Sequence, residues 1–239
     1  MKLVIGGSTG FVGTELVRQA LSHPAITTIV GFSRRRTDIP PGSVDNAGKL
    51  KSVVCENFES YSDNVKEELK DADACICRTI AVTPLNFKSL PWEETVKICR
   101  DYALTAIETL AEFPRREDEP LRFVYISGHF APRSRADIVK PLVDYGLHEL
   151  ALLRGDIESR IVAYAEQSNG AVVSCIAKPG MIAAPGRDLP DIPGVPKIEL
   201  RNIAAALLEQ AVGGFEKDIL SNDDMTRIGQ KALAEQQVA

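Results

Sequence analysis

The chain has 239 residues, of which 44% are hydrophobic and 26% charged, and its formal net charge is −5. This composition is ordinary for a globular protein with one sizeable core, and the negative charge argues against a general nucleic-acid or membrane surface. No run of about eighteen apolar residues is present, which excludes a membrane-spanning helix of ordinary length. We therefore expect neither a nucleic acid nor a membrane among the partners.

Two further features concern the compartment and metals. Met1 to Ile5 lead directly into the first predicted strand, which leaves no room for a signal or transit peptide and predicts a cytoplasmic location. We interpret the cysteines as small buried hydrophobes rather than as disulfide or redox pairs. The three histidines show no spacing to the cysteines that would build a zinc site, so we expect no metal. The cysteines are Cys55, Cys75, Cys77, Cys99 and Cys175.

The first element in chain order is a strand at Leu3-Val4-Ile5, because a compact apolar run stopped by glycine is typical of a central parallel strand. Apolar residues at helical spacing follow over residues 11–21, and between the two lies a glycine cluster spaced G-x-x-G-x-x-G. Such glycines allow a tight turn, a close approach of the backbone to a pyrophosphate, and close helix–strand packing. The alternative is a turn without a ligand. The dinucleotide-binding residues predicted here are Gly7, Ser8, Thr9, Gly10, Phe11, Val12 and Gly13.

A basic turn follows the second predicted strand, TTIVGF. Ser33, Arg34 and Arg35, followed by Arg36, stand where an NAD-preferring site usually carries an acidic residue. The planar fork of arginine suits a phosphate, and its charge does not depend on pH. We therefore expect Ser33, Arg34 and Arg35 to bind the 2′-phosphate of NADP(H), with a solvated basic turn as the alternative.

Strands and helices alternate through the rest of the first 180 residues. The predicted strands are residues 50–58, 73–82, 121–128 and 171–180, and the predicted helices are residues 62–72, 92–113 and 148–168. This alternation predicts an α/β fold, a doubly wound parallel sheet of Rossmann type with helices on both faces. No linker separates a second domain, so residues 1–239 are interpreted as one NAD(P)-binding domain.

The C-terminal part begins with a segment dense in proline and glycine, MIAAPGRDLPDIPGVP, which we predict to be irregular. It follows a strand at its carboxyl end, where ligands bind in open parallel sheets, so residues 181–199 are the predicted substrate lid. The alternative is a rigid surface connection. Within MIAAPGRDLPDIPGVP the only charges are Arg187, Asp188 and Asp191, which favours a small hydrophobic ligand. Two helices are predicted to follow, over residues 198–212 and 222–235.

Four segments together resemble the short-chain dehydrogenase/reductase superfamily, in particular its atypical, NmrA-like branch of small NAD(P)-binding proteins. They are GGSTGFVG at the start, SRR after strand two, VYISG ending strand five and AKPGMI ending strand six. The resemblance implies that Ser127 polarises a substrate carbonyl. It further implies that Lys178, Pro179 and Gly180 line the nicotinamide, that Ala81 lies near the adenosine ribose, and that Asn57 hydrogen-bonds the adenine.

The chain departs from that family at its Tyr-x-x-x-Lys pair. The matching register of ELALLRGDIE places Leu150 at the tyrosine position and Arg154 at the lysine position. Leucine has no proton to give, and a permanently charged arginine can hold a ribose hydroxyl but cannot join a proton relay. Tyr145, His148 and His129 are the alternative proton donors, each with a structural or surface role as the competing interpretation.

Three functions are compatible with these features. The first is an NADP(H)-dependent carbonyl oxidoreductase acting on a small, largely apolar metabolite. The second is a non-redox isomerase or cyclase on the same scaffold, and the third is a regulator that senses the dinucleotide. Family members often dimerise through two long helices, here residues 92–113 and 149–167, which makes a homodimer possible; an apolar stripe that packs in the core is the alternative.

Overall fold

The computed structural model describes residues 1–77, 89–115 and 118–238. Within these ranges the strands are β1 Lys2–Gly6, β2 Thr28–Ser33, β3 Leu50–Val54, β4 Ala74–Cys77, β5 Leu121–Ile126, β6 Val172–Ala177, β7 Met181–Ala183, β8 Lys197–Glu199 and β9 Ile219–Leu220. The helices are α1 Phe11–Ser22, α2 Asp63–Leu69, α3 Trp92–Val96, α4 Tyr102–Ala111, α5 Lys140–Asp144, α6 His148–Gln167, α7 Leu200–Gly213 and α8 Asn222–Val238.

The main sheet has the strand order β3-β2-β1-β4-β5-β6-β9 among the described residues, and each neighbouring pair is parallel. The predicted doubly wound α/β fold is therefore confirmed. The strand order reverses direction at β1, which pairs with β2 on one side and with β4 on the other. Ligands of such sheets bind at this reversal, beyond the carboxyl ends of the strands.

The core lies on both faces of the sheet. Leu3 and Ile5 pack with α1 and α7 on one face, whereas Val4 packs with α2, α4 and α6 on the other. Side chains alternate between the faces of a strand, so a strand covered on both sides must be apolar throughout. This is why the opening LVI run predicts a central strand correctly.

Some predicted elements differ from the structure. The predicted helix over residues 92–113 is divided, because a π-helical turn at Lys97–Asp101 separates α3 from α4. The expectation that residues 181–196 are irregular was wrong at their start, where β7 pairs in parallel with β8, which lies just beyond the segment. Strands of three residues are too short to show a period of two, and their pairing partners lie far apart in the sequence.

Several other sequence interpretations concern burial. All five cysteines are buried, as expected. The apolar stripes of α4 and α6, which a homodimer was expected to use, pack in the core of this chain. The homodimer stays a prediction. Across the described ranges, no helix combines the length and the apolar character that crossing a bilayer requires.

Candidate functional site

The turn after β1 reverses the chain tightly into α1. Gly7 has a φ of 72°, in the left-handed region that favours glycine. Its N–H donates to the carbonyl oxygen of Phe32 over 2.9 Å, and the Gly10 N–H donates to the carbonyl oxygen of Gly7 over 2.9 Å. The turn is thus fixed both to itself and to the end of β2.

The start of α1 leaves no room for a side chain at Gly13 and little room for one at Gly10. A Cβ atom on Gly13 would lie 2.2 Å from the carbonyl oxygen of Gly7, and one on Gly10 would lie 3.1 Å from the same oxygen. No side chain caps this helix, and its first turn has no acidic residue. The N–H groups and the positive end of the helix dipole therefore suit an anion, and the turn fits a pyrophosphate.

Ser8 connects the glycine turn to the basic turn. It is buried, and its Oγ lies 2.6 Å from Oγ1 of Thr37. The Thr37 N–H in turn donates to Oγ of Ser52 in β3, over 2.8 Å. Sequence reasoning missed Thr37, because no local pattern marks a contact across 29 residues.

The basic turn presents its arginines to solvent. Ser33 is buried and its hydroxyl donates to the backbone carbonyl of Arg35, while the side chains of Arg34 and Arg35 are exposed. Burial raises the pKa of the Tyr102 phenol, and the positive charge of nearby Arg34 acts in the opposite direction. The arginines thus follow the carboxyl end of β2, and their contact with a 2′-phosphate stays a prediction.

The predicted adenine contacts are described only in part. Asn57 is exposed, and its Oδ1 accepts the Glu59 N–H over 2.9 Å, which closes an Asx turn. The ring of Tyr102 packs on Phe58, with ring centroids 5.4 Å apart. Ala81, the predicted ribose neighbour, lies outside the described residues. The adenine-binding role of Asn57 stays a prediction.

A buried polar network joins the carboxyl ends of β5 and β6. The hydroxyl of Ser127 donates to Oε1 of Glu158 over 2.5 Å, and Nζ of Lys178 donates to Oε2 of the same carboxylate over 2.9 Å. Nζ of Lys178 also donates to the carbonyl oxygen of Ala131 over 3.1 Å. Glu158 is fully buried, so this ion pair is shielded from water on the carboxylate side. In this arrangement the proton of Ser127 is committed to Glu158.

Helix α6 carries three functionally interesting positions at intervals of four residues. Leu150, which stands where the resembled family has its tyrosine, is buried in the core and has no proton to donate. Arg154 packs against Gly128. A Cβ atom on Gly128 would lie 2.8 Å from Nη1 of Arg154. Glu158 follows one turn later on the same face. Sequence reasoning missed Glu158, although its spacing from Arg154 offered a signal.

His129 lines an open pocket of about 470 Å³ at this edge of the sheet, together with residues 194–196 of the predicted lid and residues 222–223 at the start of α8. The backbone N–H of His129 donates to the carbonyl oxygen of Pro179 over 2.8 Å, and the imidazole ring packs on Phe130. Burial lowers the pKa of the imidazole and the charge of Lys178 acts in the same direction, whereas a hydrogen bond to the Gly194 backbone and the charge of Asp223 act against them. The net lowering favours the neutral form of His129 at pH 7.

The remaining candidate acids are an exposed tyrosine and a half-buried histidine. Tyr145 is 53% exposed at the end of α5. His148 begins α6, with Nε2 3.7 Å from Oε1 of Glu149. Of the predicted catalytic residues, the structure gathers Ser127, His129 and Arg154 around the end of β5, whereas no described interaction joins Tyr145 to them.

The stretch from Lys178 to Gly180 is held by the C-terminal elements. The N–H of Lys178 donates to the carbonyl oxygen of Leu220 over 2.9 Å, and that of Gly180 donates to Oδ1 of Asn222 over 3.0 Å. The carbonyl oxygen of Pro179 accepts from His129. These three backbone groups are occupied within the protein, and a contact of this stretch with the nicotinamide stays a prediction.

Comparison with known sequences yields one partial match. No protein-family model matches the chain. "Protein FMP52, mitochondrial" from Candida albicans is 29% identical over 97 residues, which cover 38% of this chain and 41% of that protein. The chain therefore matches about two fifths of the length of this relative.

Solved structures resemble the chain over nearly its whole length. The dTDP-glucose 4,6-dehydratase DesIV from Streptomyces venezuelae, solved with NAD bound, has a TM-score of 0.65 at 14% identity, covering 98% of this chain and 81% of that one. The oxidoreductase ylbE from Lactococcus lactis has a TM-score of 0.63 at 16% identity, covering 98% and 97%. Vestitone reductase from alfalfa has a TM-score of 0.61 at 15% identity, covering 92% and 74%. These likenesses confirm the predicted fold.

Proposed function

We propose that the chain binds NADP(H) at the reversal of strand order and acts as a carbonyl oxidoreductase. Its Rossmann-like fold, of the short-chain dehydrogenase/reductase type, supports this proposal. The observation that carries this proposal is the tight turn after β1, in which Gly7 has a positive φ and Gly13 packs against the Gly7 backbone, and which leads into an uncapped helix start. The exposed side chains of Arg34 and Arg35 stand at the end of the neighbouring strand, β2. Together these groups fit a dinucleotide that carries a 2′-phosphate.

Different residues bind different parts of the cofactor. The N–H groups at the start of α1 hold the pyrophosphate, and Arg34 and Arg35 hold the 2′-phosphate. Ser8 and Ser33 are buried in hydrogen bonds that fix the two turns, and their direct contact with the cofactor stays a prediction. They act as positioning residues.

Proton transfer is assigned to His129. A bound nicotinamide would supply the hydride donor or acceptor at the carboxyl ends of β5 and β6. A neutral imidazole accepts a proton, so His129 at pH 7 suits the oxidation of an alcohol, and carbonyl reduction is favoured as the pH falls toward its lowered pKa. Because Ser127 donates to Glu158, its oxygen can accept a hydrogen bond from a substrate hydroxyl. Arg154, beside Gly128, can donate to a ribose hydroxyl.

The substrate proposed for this pocket is a small, largely apolar metabolite. Val195, Pro196 and Gly194 supply apolar surface, and His129 with Asp223 supplies the polar groups. The cytoplasmic location also stays a prediction. The name of the relative that matches part of the chain includes the word mitochondrial.

A second candidate function is a sensor that binds the dinucleotide without turning it over. Two observations favour it: Leu150 occupies the tyrosine position, and the proton of Ser127 is held by Glu158. The two functions differ in one measurement. An oxidoreductase oxidises NADPH in the presence of small apolar ketones or aldehydes, whereas a sensor binds NADPH with no loss of its absorbance.

Titration of the purified chain with NADPH and with NADH tests the proposal. We expect NADPH to bind at least tenfold more tightly, about 1.4 kcal/mol, because only NADPH carries the 2′-phosphate. In the variant Arg34→Ala/Arg35→Ala this preference should disappear while NADH affinity stays the same. Calorimetry measures both affinities, and Arg160→Ala, an exposed arginine of α6 paired with Asp156, is the matched control. Absence of binding for both dinucleotides would refute the proposed function.

A further inference from the structure

The segment between β7 and β8 begins with a tight turn. In the run Ala184-Pro185-Gly186-Arg187 the N–H of the fourth residue donates to the carbonyl oxygen of the first over 3.1 Å, and Gly186 has a φ of 74°. Proline at the second position and a glycine with positive φ at the third are typical of a type II turn. Residues 192–195 repeat the pattern, with a 3.0 Å hydrogen bond. The first of these turns fixes the place of Arg187.

Arg187 reaches from this turn to the glycine loop. Its guanidinium carbon lies 4.4 Å from the centroid of the Phe11 ring, in a cation–π arrangement. Phe11 is the first residue of α1, and its side chain is 42% exposed although it is aromatic. The ring thus serves as a platform that holds a positive charge beside the uncapped start of α1.

The described part of the chain offers the guanidinium of Arg187 no ion pair. Among the described residues, no carboxylate lies within ion-pair distance of Arg187, although Asp188 is its neighbour in sequence. The other acidic residue of the segment, Asp191, pairs with Lys197 over 3.3 Å. The start of α1, whose first turn has no acidic residue, and the guanidinium over the ring of Phe11 are therefore two sources of positive potential at the same end of this helix.

We propose that Arg187 is a further cofactor-binding residue, which closes over the start of α1 and binds the pyrophosphate of the dinucleotide. This inference rests on the proposed function. The pyrophosphate is common to NAD(H) and NADP(H), so Arg187 contributes to affinity for both, whereas Arg34 and Arg35 select between them. The planar fork of a guanidinium suits two phosphate oxygens at once.

The same contact couples the cofactor to the substrate pocket. Arg187 lies near one end of the segment between β7 and β8, and Gly194 with Pro196 lies near the other end, in the pocket with His129. A phosphate bound by Arg187 holds the first end of the segment in place. Cofactor binding therefore orders the wall of the pocket before the substrate enters.

The experiment compares wild-type chain, Arg187→Ala and Arg187→Lys by calorimetric titration with NADPH and with NADH. We expect Arg187→Ala to weaken both dinucleotides by the same factor, about tenfold or more, because one charge-assisted phosphate contact is lost. Arg187→Lys should recover part of the affinity, since it keeps the charge without the fork. Raising the salt concentration should reduce the difference between wild type and Arg187→Ala.

The controls separate this inference from the proposed function. Arg160→Ala removes an exposed arginine of α6 and should leave both affinities unchanged. Unchanged affinities in Arg187→Ala, or a loss confined to NADPH, would overturn the pyrophosphate role while the wild-type titration still supports dinucleotide binding. A wild-type chain that binds neither dinucleotide overturns the proposed function, and the inference with it.

Discussion

Replacing Lys178 with methionine is expected to lower the free energy of unfolding by about 3–5 kcal/mol, because the variant leaves a buried carboxylate without its cation. Glu158 is fully buried, and among the residues that the structure describes it forms its ion pair with Lys178, at 2.9 Å. The hydroxyl of Ser127 alone cannot balance that charge. Urea unfolding measures the loss as a lower midpoint at an unchanged slope.

Two further variants decide whether the charge is the cause. The double variant Glu158→Gln/Lys178→Met removes both charges and leaves an oxygen that can accept from Ser127, so it should be more stable than Lys178→Met alone. Lys140→Met breaks an exposed pair with Asp144, whose side chains are 83% and 50% exposed, and should cost less than about 1 kcal/mol. If Lys178→Met unfolds at the same urea concentration as Lys140→Met, the buried pair does not stabilise the fold.

Replacing Gly13 with alanine is expected to destabilise the chain by about 2–3 kcal/mol and to weaken NADPH binding at least tenfold. A Cβ atom there would lie 2.2 Å from the carbonyl oxygen of Gly7, which already accepts the N–H of Gly10. The clash must move either α1 or the turn that fits the pyrophosphate. Helix propensity alone predicts the opposite sign, since alanine is favoured over glycine by about 1 kcal/mol.

Gly48→Ala is the matched control for this prediction. Gly48 is exposed, and a Cβ atom on it would meet nothing within 4 Å. The melting temperature and the NADPH affinity of the Gly48→Ala variant should equal those of the wild type. For a chain of this size, the expected loss in Gly13→Ala corresponds to a melting temperature lower by about 4–12 °C. A Gly13→Ala variant that melts at or above the wild-type temperature would show that close helix–strand packing is not the role of this glycine.

The sequence predicts the sheet well for a local reason. Strands such as β1 and β5 are short apolar runs bounded by glycine or by charged turns, and burial on both faces demands that composition. The glycine spacing likewise predicts the turn after β1, because backbone conformation and packing space constrain each glycine separately. These signals are contained within about ten residues, so no knowledge of distant partners is needed.

The polar contacts of the site could not be predicted in this way. Ser127 and Glu158 are 31 residues apart, and Glu158 and Lys178 are 20 apart. On sequence alone, Glu158 belongs to the charged side of an amphipathic helix and Lys178 to the end of a strand. Which charged group pairs with which is decided by the angle at which α6 packs on the sheet.

The sequence by itself thus determined the parallel α/β order, the turn at the start of α1 and the positive charge after β2, because each follows from local backbone geometry and burial. Only the tertiary structure decided the rest: the bond of Ser127 to Glu158, the pairing of β7 with β8, and the placement of Arg187 over Phe11. These features join residues far apart in the chain. Their energies depend on distances and on exclusion of water, which exist only once the elements have packed together.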